Sequence, residues 1–165
     1  LEARGQITRR QRSDGRIGNW LMGDNREAIV KSTTVAASSS NDSSLSEDAV
    51  KKFLMAWLER DGWEVAVAWG KSRGVDIEAK RAGKRWLIEV KGCGSRPEMR
   101  VNYFIGMLGE LLQRMDDSQA RYSIALPDMK QFRGLWARLP TLAKQRLGLS
   151  ILFVAETGHI TLLEE

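Results

Sequence analysis

The sequence has a single cysteine, Cys93, and a single histidine, His159. One cysteine closes no internal disulfide, and the two residues together are too few for a zinc site of the usual Cys/His type. A reducing, cytoplasmic setting is therefore expected. No apolar run approaches the ~20 residues that span a bilayer, and the N-terminus lacks the basic-then-apolar pattern of a secretory signal. No membrane partner is expected. Acidic residues are in the minority, 21 Asp and Glu against 26 Lys and Arg, for a formal net charge of +5. That balance favours a polyanionic partner, because clustered cations gain by releasing counterions condensed on phosphate. Charge alone is equally compatible with an ordinary soluble basic protein.

The 165 residues, 42% of them hydrophobic, suffice for one ordinary core and an extension. Residues 1–45 carry Arg4, Arg9, Arg10, Arg12 and Arg16 and the polar run from Ser38 to Ser44. That composition forms no core and predicts a basic, Ser-rich tail or linker. The folded domain is placed at 46–165. Leu1 stands in place of an initiator methionine, which leaves open that the chain is a piece of a longer one.

Ser46 as N-cap, then Glu47 and Asp48, then Val50, Phe53, Leu54, Trp57 and Leu58 at helical spacing predict a helix over 47–60. Asp61-Gly62 ends it. Alternation predicts strands over 63–69, 75–81 and 85–92, with a short basic loop at 70–74 and a turn at Ala82-Gly83. Phe104, Ile105, Leu108, Leu111, Leu112 and Met115 form one broad apolar stripe and predict a helix over 101–115. A strand at 122–126, short helices at 132–138 and 141–146, and a terminal hairpin of 149–154 with 160–163 complete the chain. The order predicts an α/β fold, a mixed sheet with helices against it.

Chemistry concentrates on the second and third strands. Alternate residues of a strand share a face, so Asp76 stands with Glu78 and Lys80, and Glu89 with Leu87 and Lys91. A connecting loop of two or four residues sets position 76 across from 89, their Cβ atoms ~5 Å apart. A three-residue loop with a glycine bulge would offset them. Two carboxylates that close repel unless a cation compensates both, and Mg²⁺ takes carboxylate oxygens, waters and phosphate together. The Val90 carbonyl is a natural further ligand. Lys91 is placed to steer or deprotonate an attacking water and to neutralise charge growing on phosphorus. Glu47 lies on the helical stripe with Val50, Leu54 and Leu58, toward the sheet, where it either serves the helix N-terminus or completes the metal shell. On an exposed sheet face the same strand residues would be ordinary surface pairs worth ~0.2–1 kcal/mol.

Glu47 on the first helix, Gly74-Val75-Asp76-Ile77 on the second strand and Ile88-Glu89-Val90-Lys91 on the third together resemble the PD-(D/E)XK, or restriction-endonuclease-like, nuclease superfamily. The likeness is nearest to the archaeal Holliday-junction resolvases and the methyl-directed restriction endonucleases. It covers residues 46–126, whose helix-strand-strand-strand-helix-strand order matches the superfamily core and leaves the rest as a C-terminal extension. Val75 replaces the proline of the motif, and the helix after the third strand, with Glu110 and Gln113 as possible lining of the site, lacks the glutamine-tyrosine signature of the exonuclease branch. The resemblance implies Mg²⁺-dependent cleavage of DNA, with Mn²⁺ as a substitute, Asp76 and Glu89 as ligands and Lys91 as the catalytic lysine. The expected partner is double-stranded or branched DNA, and the superfamily includes many homodimers.

Lys71, Ser72, Arg73, Arg96 and Arg100 flank these residues on loops and suit phosphate contacts. The leading expectation is a metal-dependent deoxyribonuclease of the restriction, repair or recombination type. The alternative is a domain that keeps the fold but binds nucleic acid or assembles with partners without cutting.

Overall fold

A computed structural model describes residues 45–70, 74–94 and 96–164. The predicted tail therefore lies outside the described residues, apart from Leu45, whose side chain is buried in the core.

Helix α1, Glu47–Arg60, starts where Ser46 accepts the Ala49 amide on its side chain, with Glu47 and Asp48 in the first turn facing the positive end of the helix dipole. Gly62, at φ +80°, turns the chain out of it. The strands are β1 (Glu64–Val67), β2 (Ile77–Arg81), β3 (Lys84–Val90), β4 (Arg121–Pro127), β5 (Leu149–Val154) and β6 (Ile160–Leu163). Helix α2, Met99–Leu112, joins β3 to β4; α3, Lys130–Arg138, and α4, Thr141–Leu147, join β4 to β5.

The six strands form one sheet in sequence order. β3, β4 and β5 are parallel at its centre, and antiparallel pairs β1–β2 and β5–β6 finish the edges. The parallel strands are covered on both faces, as parallel sheets generally are. Val50, Leu54 and Leu58 of α1 pack on Ile77, Ala79, Trp86, Ile88 and Val90 on one face. Phe104, Met107 and Leu111 of α2 pack with Leu87, Ile124 and Phe153 on the other. This is the predicted order, helix-strand-strand-strand-helix-strand within a mixed sheet flanked by helices, with α3, α4, β5 and β6 as the C-terminal extension. No helix among the described residues is long and apolar enough to cross a membrane.

Two departures from the predicted elements bear on function. β1 stops short of Trp69, which is 41% exposed. β2 begins at Ile77, not at 75: Asp76 Oδ2 accepts the Val90 amide at 2.8 Å, while the Asp76 carbonyl accepts the Ala68 amide at 2.9 Å. Arg81 pairs with Lys84 and Ile77 with Ile88 across the two-residue turn Ala82-Gly83. Both turn residues have positive φ, 47° and 76°, as a type I′ hairpin requires. That register carries Asp76 across from Glu89.

Candidate active site

The turn length decides the geometry. With two residues in the loop, Asp76 and Glu89 stand at facing register positions at the end of the sheet, where each carboxyl group acts on the other's titration. Glu89 is 1% exposed and takes the Arg114 guanidinium on Oε1 in a very short contact. Burial, together with the neighbouring Asp76, pushes the Glu89 carboxyl up to about 7 against the pull of Arg114. Asp76 moves the other way. Burial would raise it, but the Lys51 ammonium and the Val90 amide outweigh burial and hold it below the ordinary carboxylate range. Below about pH 7 the proton therefore rests on Glu89, while Asp76 stays ionised.

Lys51 and Arg114 meet the two carboxylates, and neither was among the residues expected there. Lys51 is wholly buried and donates to Asp76 Oδ1 at 2.7 Å, to Glu47 Oε1 at 2.8 Å and to the Ala68 carbonyl at 2.9 Å. Burial disfavours its charged form, yet these bonds raise its pKa above the usual lysine value. Its position was legible: Lys51 is one helical turn beyond Glu47, on the same inward stripe as Leu54 and Leu58. Arg114 lies just past the end of α2, and only the tertiary fold brings it to Glu89.

Lys91 follows β3 and lies 3.8 Å from Glu47 Oε2 and 3.6 Å from Glu110 Oε2. Glu110 therefore joins the site through Lys91. The approach of Glu47 depends on Gly92: a Cβ there would stand 2.6 Å from the Glu47 amide nitrogen and 3.0 Å from the Leu45 carbonyl oxygen. Glycine lets the start of α1 lie directly on the end of β3.

Several expectations need correction. Glu47 does not converge with Asp76 and Glu89 as a third ligand, because the Lys51 ammonium bridges it to Asp76. Among the described residues no group of three or more His, Cys, Asp and Glu side chains is arranged to hold an ion. The Val90 amide donates to Asp76, a contact the sequence did not indicate, and this leaves the role expected of the Val90 carbonyl untouched. Arg100 is not a surface cation: it is 6% exposed, and its guanidinium bonds the Cys93 carbonyl at 2.9 Å and Gln131 at 3.1 Å. Gln113 is the exposed C-cap of α2, and among the described residues no hydrogen bond joins its side chain to the carboxylates. Arg96 is exposed on the loop before α2. Lys71, Ser72 and Arg73 lie outside the described residues.

The donors that do converge fit a hard divalent ion in kind, being carboxylate oxygens without sulfur or imidazole. Two carboxylates are the usual protein share of a magnesium site completed by water and phosphate. Asp76 and Glu89 meet that requirement, and an arriving ion would displace the proton that Glu89 holds below about pH 7.

No family model matches the chain, and no curated protein does. Solved structures similar to it include the following two. A crystal structure of an fdxN element excision controlling factor protein from Anabaena variabilis covers 69% of this chain and 96% of its own, at 18% identity and a TM-score of 0.51. An XisH family protein from Nostoc punctiforme PCC 73102 covers 68% of this chain and 95% of its own, at 19% identity and a TM-score of 0.49. At such identity the Anabaena likeness concerns the fold, and the fold it supports is the nuclease-like α/β core described above.

Proposed function

We propose that this chain is a metal-dependent phosphodiesterase acting on DNA, with its active centre at Asp76, Glu89 and Lys91. The observation that carries the proposal is the register that sets Asp76 across from Glu89 at the end of a nuclease-like sheet, with Lys91 two residues beyond Glu89 and 3.8 Å from Glu47 and 3.6 Å from Glu110. Asp76, Glu89 and the Val90 carbonyl would hold Mg²⁺ or Mn²⁺, which when bound supplies Lewis-acid activation of water and neutralises phosphate charge.

The chain's own residues do the rest. The Lys51 ammonium and the Val90 amide fix both oxygens of Asp76, so the carboxylate is oriented before substrate arrives. Lys91, tethered loosely between two acids, is free to turn toward a scissile phosphate and stabilise its developing charge. Glu110 and Glu47 keep the Lys91 side chain in reach until then. Arg96, with Lys71 and Arg73 of the basic loop, would supply phosphate contacts that position the duplex. DNA is favoured over RNA by the resemblance of the motif, and the fold is shared with a protein named for control of element excision.

A second proposal has an observation of its own. Each carboxylate already has a protein cation, Lys51 for Asp76 and Arg114 for Glu89, which suits a domain that keeps the fold and binds DNA without cutting. Mn²⁺ titration of the wild type and of Asp76→Ala, with and without a DNA duplex, separates the two. Micromolar to millimolar binding that the substitution abolishes supports the enzyme; absence of binding in both proteins leaves the binding-domain proposal standing.

A further inference from the structure

Two cations serve the carboxylate pair, and the structure treats them differently. The Lys51 side chain is 1% exposed and is held by three oxygens from α1, the residue before β2 and the end of β1. It cannot leave without opening the core. The Arg114 side chain is 32% exposed, and it follows the C-cap of α2, where the backbone is anchored by one amide bond to the Leu111 carbonyl. Among the described residues Glu89 is the one acid its guanidinium contacts. The acid it meets is fixed in the sheet with a side-chain exposure of 2%, so in any rearrangement it is the arginine that moves.

A guanidinium forms the same charge-assisted, forked hydrogen bonds with a phosphate as with a carboxylate. Moving from one oxyanion to the other keeps its bonds and its charge compensation. Glu89, for its part, needs a cation whenever it is ionised, because it is buried against a second carboxylate.

We infer that Arg114 is a resident counter-ion of Glu89, which gives up this carboxylate to a divalent cation and is thereby released to contact a substrate phosphate. The inference rests on the metal site proposed above. It assigns Arg114 as a positioning residue that lowers metal affinity in the free protein and couples metal entry to substrate binding.

The test is Mn²⁺ binding, read from the electron paramagnetic resonance signal of the free ion, on the full chain without DNA. Arg114→Gln, which removes the competing charge, is expected to bind Mn²⁺ about tenfold more tightly than wild type, the order of effect of one charge-assisted hydrogen bond. Arg114→Lys keeps the charge but not the fork and is expected to fall between the two. Circular dichroism checks the fold, and the lysine variant alone decides the matter if the glutamine variant does not fold. Wild type that binds Mn²⁺ as tightly as the variants, or more tightly, overturns the inference while leaving the metal site intact. Wild type and variants that all fail to bind at millimolar Mn²⁺ remove the metal site itself, and the inference with it.

Discussion

Replacing Lys51 by methionine isolates the buried ion pair from its surroundings, because methionine keeps most of the stem volume and little cavity is created. The ammonium is lost from three acceptors, Asp76 Oδ1, Glu47 Oε1 and the Ala68 carbonyl. Glu47 suffers least, since its side chain is 34% exposed and Lys91 is 3.8 Å away. Asp76, 13% exposed, keeps the Val90 amide on one oxygen and loses compensation on the other. Breaking one partner of a buried pair costs ~3–5 kcal/mol, and the residual solvent access of Asp76 places this case near ~3 kcal/mol. For a domain of this size that is a fall in Tm of roughly 10 °C. Urea unfolding at pH 7 measures it, and Asp76→Asn in the Lys51→Met background should recover at least ~1.5 kcal/mol as a coupling energy. A loss below ~1 kcal/mol, or strictly additive double-mutant behaviour, refutes the claim that Lys51 is the structural cation of the site.

Other perturbations have equally definite outcomes. Because the Glu89 carboxyl is raised to about 7 from an ordinary value of 4.5, the folded state holds this proton more tightly than the unfolded chain. Stability of the metal-free protein should therefore fall as pH rises from about 4.5 to about 7, and Glu89→Gln should flatten that slope in thermal scans across the window. Gly92→Ala drives a methyl into the backbone at the start of α1 and should cost ~1–3 kcal/mol in chemical unfolding; an unchanged midpoint would mean that the contact is not tight. Ala82→Asn places a residue tolerant of positive φ in the type I′ turn and should stabilise the protein by ~0.5–1 kcal/mol, read as a rise in the denaturation midpoint.

Much of this site was legible in the sequence because strand parity and turn length are local properties. Ala82-Gly83 fixes the register, and the register fixes the meeting of Asp76 with Glu89. The ten helices and strands of the described region were readable for the same reason, from periodicity and caps such as Ser46. What was not legible depends on tertiary approach. Arg114 comes from the far end of α2, and nothing in its neighbourhood in sequence marks it as the partner of a strand residue. The burial of Arg100 follows from the packing of α3 against the start of α2, which sets Gln131 beside it. Glu47 lies on the inward stripe from which a third metal ligand was expected, but the same stripe also brings Lys51, whose ammonium stands between Glu47 and Asp76.

The central claim is that these residues cut DNA. Incubation of the purified full chain with supercoiled plasmid and with a synthetic four-way junction, in Mg²⁺ or Mn²⁺, tests it most directly. The account predicts nicked or linear product that a chelator abolishes and that falls by about a hundredfold or more in Lys91→Ala, a loss of the size seen when one transition-state donor is removed. A folded wild-type protein that leaves both substrates intact with either metal, or a Lys91→Ala variant that cuts as fast as wild type, would contradict it.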